Sequence, residues 1–422
     1  LVFFVALMYV VFQSIYTFAT PLMDWIDGSF GSMADAAASS LRASPAVESF
    51  VVDGLIGGIG AAVIFLPQIL ILFFFISVLE GTGYLARAAF LMDRLLGWCG
   101  LNGRAFIPLL SSYACAIPGI MAARVMPDAK SRLATILVAP LMSCSARLPV
   151  YLLLIGTFIE PKYGAAWAGF TLFAMHFLGL LVAIPVVFFL NRKVIKGRRL
   201  PFVLELPPYQ WPRWGDVLLT MYLRGKVFLK VAGTMILAMS ILVWALLYFP
   251  RSDADAKLYR ADYASRDASF RELVGEDEFV AERQTENSYL GRFARSVAPA
   301  FEPAGFDWRI TTGILAAFPA REVIVPTLGI LFSVGSEADE GSGRLKSALG
   351  NAKRPDGTPL MNPWNAVGLM VFFALCAQCM STLATVKRET NSWKWPVFMF
   401  VYMSALAYIG AVAVHQLGRL FA

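Results

Sequence analysis

Residues Ala105–Arg124 read AFIPLLSSYACAIPGIMAAR, and Pro140–Pro149 follow as PLMSCSARLP. Proline, serine and cysteine crowd together where an uninterrupted membrane helix would carry leucine. Irregular backbone and polar groups are tolerated at membrane depth only when buried in protein or lining a wet cavity. The stretch therefore predicts a broken helix inside a membrane-embedded chain, of the kind that forms a path for a small polar species.

The rest of the chain supplies that setting. It is 58% hydrophobic and 15% charged, where soluble domains carry about 25% charge. The formal net charge is +7, and the excess sits in loops, as cytoplasmic retention of Lys and Arg produces. No basic face belongs to a soluble domain, so a nucleic-acid partner is not expected. Five cysteines, four of them in or near apolar segments, argue against a disulfide scaffold. The chain opens at Leu1, already apolar, and reads as a piece whose natural N-terminus lies elsewhere.

A spanning helix needs about 20 mostly apolar residues. By that measure Leu1–Leu22, Gly54–Leu79, Leu133–Phe158, Gly164–Leu190, Phe228–Phe249, Ala366–Val386 and Pro396–Val414 are expected to span. Ala105–Met126 and Ile310–Val334, interrupted by Pro, Gly, Ser or charge, are expected to be re-entrant or broken. The predicted class is an all-α polytopic membrane protein with about seven to nine spanning or re-entrant helices. Asn191–Lys230, rich in Lys and Arg, is placed in the cytoplasm, and the acidic Asp24–Asp53 loop outside. Pro250–Arg309 reads as an exterior, solvated helical insert, and Gly335–Pro363 as a flexible connector.

An internal repeat underlies this layout. Gly100-Leu-Asn-Gly-Arg104 precedes an apolar run ending Leu110-Ser-Ser-Tyr113; Gly305-Phe-Asp-Trp-Arg309 precedes one ending Leu315-Ala-Ala-Phe318. The loop assignments give the two copies opposite orientation. Inverted repeats with discontinuous helices are a transporter plan, with the substrate near mid-membrane where the broken helices meet.

Several residues in these segments carry chemistry. Cys115 lies in Ala-Cys-Ala-Ile-Pro, where Pro118 removes a backbone donor and frees a carbonyl. Cys144 lies in Ser-Cys-Ser-Ala-Arg with Pro140 and Pro149 on either side, and Ser143, Ser145 and Arg147 beside it. Cys376 and Cys379, at i and i+3, are expected on one face of an apolar helix. Thiolates are soft ligands suited to transition metals; a cysteine also serves as a small buried hydrophobe, and both readings stand. Glu322 follows Pro319 in Phe-Pro-Ala-Arg-Glu-Val, where an intramembrane carboxylate marks function or pairs with Arg321 or Arg147 for packing. There is no phosphate-binding Gly-x-x-x-x-Gly-Lys-Ser/Thr loop, so this chain is not expected to hydrolyse a nucleotide.

The stretch from GYLARAAFLMDRLLGWCGLNGR through MSCSARLPVYLLLIGTF resembles the membrane region of the ferrous-iron transport protein B family. FPAREVIVPTLGILF and LCAQCMSTLATVKRETNSWKWPVF resemble its second half. The resemblance implies two Gate segments. They divide the chain into a first helix and exterior loop (1–53), a first Gate segment (54–132), a central region with the basic loop (133–227), a second Gate segment with the insert 250–309 (228–335), and a connector with C-terminal helices (336–422).

The resemblance also implies uptake of Fe²⁺ across a prokaryotic inner membrane, with Cys115, Cys144 and Glu322 as pathway candidates; Cys376 and Cys379, read from their own sequence, are expected to join them as transient metal ligands. Pro118, Pro140, Ser143, Ser145, Arg147, Pro149 and Pro319 would shape the path. Ala114 and Ala116 depart from the Gly-Cys-Asn form of many members. The implied partners are the lipid bilayer, a GTP-binding domain outside this chain, small Feo accessory proteins and further copies of the chain. No tightly bound cofactor is expected, Fe²⁺ being cargo and GTP acting only through that absent domain. The alternatives are a Gate-type carrier of nucleosides or another small solute, and a membrane thiol oxidoreductase using Cys376 and Cys379.

Overall fold

The computed structural model describes residues 13–40, 45–126, 128–195, 208–265, 275–319, 321–334, 341–354, 358–377 and 379–421. Among these the chain is helical throughout, with one isolated bridge, Lys353 to Pro359. In chain order the helices are α1 (Thr20–Ser40), α2 (Pro45–Gly81), α3 (Tyr84–Cys99), α4 (Phe106–Ala114), α5 (Ala116–Ala122), α6 (Ala129–Val138), α7 (Leu148–Leu154), α8 (Ala165–Ile195) and α9 (Trp214–Tyr248). There follow α10 (Asp253–Ala264), α11 (Glu276–Asn287), α12 (Tyr289–Phe301), α13 (Trp308–Ala316), α14 (Ile324–Leu331), α15 (Gly343–Asn351), α16 (Pro363–Leu375), α17 (Met380–Thr390) and α18 (Lys394–Phe421).

Among the described residues five helical runs are long and apolar enough to cross a membrane: α2, α8, α9, the stretch Pro363–Thr390 that holds α16 and α17, and α18. With its shorter broken helices, the chain is an all-α polytopic membrane protein, as composition predicts. Pro363–Thr390 is buried over 76% of its most apolar window, against 22–33% for the other four. Its side chains meet protein, whereas theirs present broad apolar faces suited to lipid.

Several expectations are corrected. Leu133–Phe158 is not one spanning helix. α6 ends at Val138, Ala139–Leu141 tighten into a 3₁₀ turn, Met142 is extended (φ −61°, ψ 132°), and α7 begins only at Leu148. Pro140 and Pro149 each remove a backbone donor from what would be the helix interior. Ala366–Val386 is likewise interrupted: Cys376 is extended (φ −70°, ψ 156°) and helix resumes at Met380. Cys376 and Cys379 therefore lie in a break and not on one face of a helix.

Asp24–Asp53 is helical over most of its length and not a loop, and α9 begins at Trp214, inside the expected basic loop. Gly335–Pro363 is more than a connector, because α15 buries Leu345 and Leu349 completely. The insert at 250–309 is helical, yet α11 and α12 bury Phe279, Val280, Leu290 and Ala294. Residues 1–12 of the first expected span, 196–207 of the basic loop, 266–274 of the insert, and 335–340 and 355–357 of the connector lie outside the described residues.

The chain forms two compact units. One comprises Leu1–Cys144, Leu181–Ile241 and Ser381–Pro396; the other comprises Ser145–Leu180, Leu242–Met380 and Val397–Ala422. Two of the crossings from one unit to the other, at Cys144–Ser145 and Met380–Ser381, fall at the cysteine-bearing breaks.

Each unit holds one copy of the repeat, and the copies agree in local detail. Gly100 and Gly305 both adopt left-handed backbone (φ +88° and +79°), a conformation glycine reaches without a Cβ penalty. Two residues on, the Asn102 side chain accepts from Arg104 N–H and the Asp307 side chain from Ile310 N–H, satisfying orphan donors at the turn that follows. The two arms then cross closely. In the first copy Gly119 faces Pro108; in the second, Ile324 faces Gly313. These are the same two positions of the ungapped repeat, with the glycine moved from one arm to the other.

Candidate functional site

In the first unit the break between α4 and α5 is centred on Cys115, whose backbone is extended (φ −154°, ψ 134°). Its N–H still donates to Ser111 O at 3.2 Å, so the chain leaves the helix only after the last turn has closed. Ser111 Oγ donates to Ile107 O (3.0 Å) and Ser112 Oγ to Pro108 O (2.8 Å). These back-bonds satisfy hydroxyls that would be costly if left unpaired in an apolar interior.

A Cβ on Gly119 would lie 1.9 Å from Ser112 Oγ and 2.6 Å from Pro108 O. The arms are in backbone contact there, which fixes where Cys115 sits. Cys115 packs with Met121, Met221, Phe65 and Leu66 around Ile69, Phe73, Ile117, Phe228 and Ala232. Ser381 Oγ donates to Ala232 O at 3.4 Å, in a π-helical turn, Leu229–Gly233, of the kind frequent at functional positions. α4 and α5 also pack on the 3₁₀ turn Ala139–Leu141. The first unit thereby brings the Cys115 break beside the Pro140–Cys144 stretch, with Pro118, Pro140 and Ser143 buried.

In the second unit α13 ends at Ala316, and Arg321–Val323 form a 3₁₀ turn before α14. Arg321 is 5% exposed. Its Nη1 donates to Phe373 O (3.0 Å) and its Nη2 to Cys376 O (2.7 Å). The guanidinium thus closes the C-terminal end of α16, where partial negative charge accumulates. The turn Ser145–Arg147, with Arg147 wholly buried, packs against Arg321–Val323. Pro149 lies in the first turn of α7. The second unit brings together the Arg147 turn, the Glu322 turn and Cys376. The side chains of Glu322 and Ser145 lie outside the described residues.

Cys115, Cys144, Cys376 and Cys379 are thiols, with Cys376 buried and the other three partly exposed. Among the described residues no three His, Cys, Asp or Glu side chains cluster so as to hold a metal ion. At the second break Cys376 Sγ meets Phe373 O at 3.8 Å. His176 meets Leu172 O and the Tyr151 ring, and His415 meets Asn365 Oδ1, which matches packing and hydrogen-bonding roles.

Sequence reasoning treated Arg321 only as a partner for Glu322 and passed over Ser381, Thr382 and Thr385, all buried. A permanent charge within an apolar run was itself the available signal for Arg321.

The geometry defines a polytopic helical membrane protein whose apolar segments are interrupted at cysteine-bearing breaks. The Gate family, described as nucleoside recognition, matches residues 62–158 and 229–393, and the family described as ferrous iron transport protein B C terminus matches residues 172–224. The chain belongs to the Gate family, whose model covers more than half of it. It is 41% identical over 99% of its length to the Fe(2+) transporter FeoB of Leptospira biflexa, of which it covers 57%. It is 34% identical to FeoB of Campylobacter jejuni, covering 97% of this chain and 61% of the relative. An Fe(2+) transport protein A/Fe(2+) transporter FeoB fusion protein of Porphyromonas gingivalis is 37% identical, covering 99% and 50%. The chain spans about half to three-fifths of the length of these relatives. No solved structure matches it.

Proposed function

We propose that this chain is the membrane permease part of a ferrous-iron uptake system, carrying Fe²⁺ to the cytoplasm across a prokaryotic inner membrane. One observation carries the reading. In a chain of this family, Cys115 and Cys376 stand in extended backbone between apolar helices, Cys144 follows the extended Met142, and Cys379 lies in the same interruption as Cys376.

Fe²⁺ accepts sulfur, nitrogen and oxygen ligands, and a thiol beside peptide oxygens replaces part of its hydration shell. Conduction requires that each site also release the ion, which suits single thiols better than a closed cage. Cys115, Cys144, Cys376, Cys379 and Glu322 act as transient ligands, with Ser143, Ser145 and Arg147 and the prolines Pro118, Pro140, Pro149 and Pro319 shaping the path. Energy or gating comes from a GTP-binding domain outside this chain. A small Feo accessory protein is a natural partner, since one relative carries transport protein A in the same polypeptide.

The test is radiolabelled Fe²⁺ uptake into vesicles holding the purified chain, with and without a GTPase partner, alongside Cys115→Ser and Glu322→Gln. Uptake lowered at least tenfold in either variant supports the assignment, and wild-type uptake in both removes these residues from the path.

A nucleoside carrier is the second reading. It is favoured by the description of the Gate family and by the buried hydroxyls of Ser111, Ser112, Ser143, Ser381 and Thr382. It predicts saturable nucleoside uptake unaffected by Fe²⁺. A thiol oxidoreductase using Cys376 and Cys379 needs an exposed reactive pair, and Cys376 is buried.

A further inference from the structure

The carbonyl oxygens at the Cys376 break already hold a cation. Arg321 is charged at every physiological pH, is buried, and spends two donors on Phe373 O and Cys376 O at 3.0 and 2.7 Å. Such oxygens, at the negative end of a helix, are the ligands a desolvated metal ion seeks. Register with the first copy sharpens the point: matching Tyr113 to Phe318 puts Arg321 opposite Ala116 and Ala320 opposite Cys115. One break carries a thiol; its counterpart carries a fixed positive charge. The wholly buried Arg147 lies on the turn packed against that of Arg321.

We propose that Arg321 is a tethered cation that occupies the carbonyl site at the Cys376 break, and that a divalent transition-metal ion takes Phe373 O and Cys376 O only when Arg321 leaves them. This rests on the permease reading for its cargo, but not for its geometry. Arg321 acts as a positioning and selectivity residue, raising the metal concentration needed to fill the break. It also keeps the oxygens from weakly binding monovalent ions that cannot displace a guanidinium.

The experiment measures maleimide labelling of Cys376 in the full chain in detergent or vesicles, with Cys99, Cys115, Cys144 and Cys379 replaced by serine, over a Co²⁺ titration. Wild-type Arg321 is compared with Arg321→Gln and Arg321→Lys. The expected result is faster labelling without metal in Arg321→Gln, and half-protection at a Co²⁺ concentration at least tenfold lower than with Arg321. Arg321→Lys, which keeps the charge but loses the two-pronged fit, should fall between.

A helix cap with no other role would speed labelling by loosening α16, but would not make Co²⁺ protect better. Equal or higher protecting concentrations in Arg321→Gln overturn the proposal. Should that variant fail to fold, Arg321→Lys decides: a lowered protecting concentration supports the proposal and an unchanged one overturns it. Fe²⁺ uptake by the chain with its native cysteines separates the two ideas. Absent uptake with the protection shift intact defeats the permease reading alone; normal uptake with no shift defeats the Arg321 assignment alone.

Discussion

Arg124 and Glu389, 265 residues apart in the chain, form a two-pronged ion pair: Nε to Oε2 at 2.8 Å and Nη2 to Oε1 at 2.6 Å. The pair ties the end of the first broken hairpin to the end of α17 within one unit. The arginine side chain is 59% exposed and the glutamate 6%, so the two deletions should be unequal. Arg124→Ala leaves a carboxylate out of water without its partner and is expected to cost about 2 kcal/mol, between the values for exposed and buried pairs. Glu389→Gln leaves a solvated guanidinium and should cost under about 1 kcal/mol. Thermal unfolding in detergent, completed as a double-mutant cycle, reads the difference; equal single costs would refute the argument from burial.

Gly119 should tolerate no side chain. Gly119→Ala places a methyl against Ser112 Oγ and against Pro108 O, a backbone atom that cannot swing aside. Overpacking of this kind costs about 1–3 kcal/mol, and the hairpin must open at Cys115 to relieve it. Adding Ser112→Ala removes the nearer clash but not the backbone one, so rescue should be partial. Stability and Cys115 labelling rate measured together check this: full rescue by Ser112→Ala would mean that the backbone contact is unimportant.

Two aspartates should respond to pH in opposite directions. Hydrogen bonding from the Ser131 backbone N–H holds the Asp128 carboxyl below its ordinary value. Its stabilising effect is present above the unfolded-state pKa and is lost as pH falls through the folded value. As the N-cap of α6, Asp128 should cost about 1 kcal/mol on replacement by Ala at neutral pH, and the gap from wild type should close in acid. Burial pushes the Asp307 carboxyl up. Its folded pKa exceeds the unfolded one, so its contribution is most favourable at low pH and diminishes as pH rises through the folded value. Asp307→Asn should therefore gain on wild type as pH rises above about 4, the ordinary carboxylate value. Unfolding midpoints across pH test both signs.

Thiol reactivity should follow burial rather than sequence neighbourhood. Cys115, Cys144 and Cys379 are partly exposed and Cys376 is buried. A small membrane-permeant maleimide should label single-cysteine proteins carrying any of the first three faster than one carrying Cys376. Equal rates at Cys376 and Cys379 would show a break more open than the structure describes.

Much of this architecture was legible in the residues. The apolar spans follow from what lipid tolerates, and the interruptions near Cys115 and before Arg321 follow from Pro118, Pro319 and the neighbouring glycines. The repeat was readable from Gly100 and Gly305, because left-handed backbone and an Asx cap two residues later are local requirements. The interruptions at Met142–Cys144 and Cys376–Cys379 were missed. Apolar content favoured continuous helices there, and the second has no proline between Pro363 and Pro396 to mark it.

The sequence by itself determined that the chain is a helical membrane protein with cysteines in and near its apolar segments. Backbone satisfaction in lipid is a local demand, met or failed within one turn. Only the tertiary structure decided that Arg321 serves the carbonyls of Phe373 and Cys376, and that Arg124 reaches Glu389. It also decided which arm of each hairpin needs glycine. Those pairings depend on segments brought together through space, and a buried charge takes whichever oxygen the packing leaves within reach.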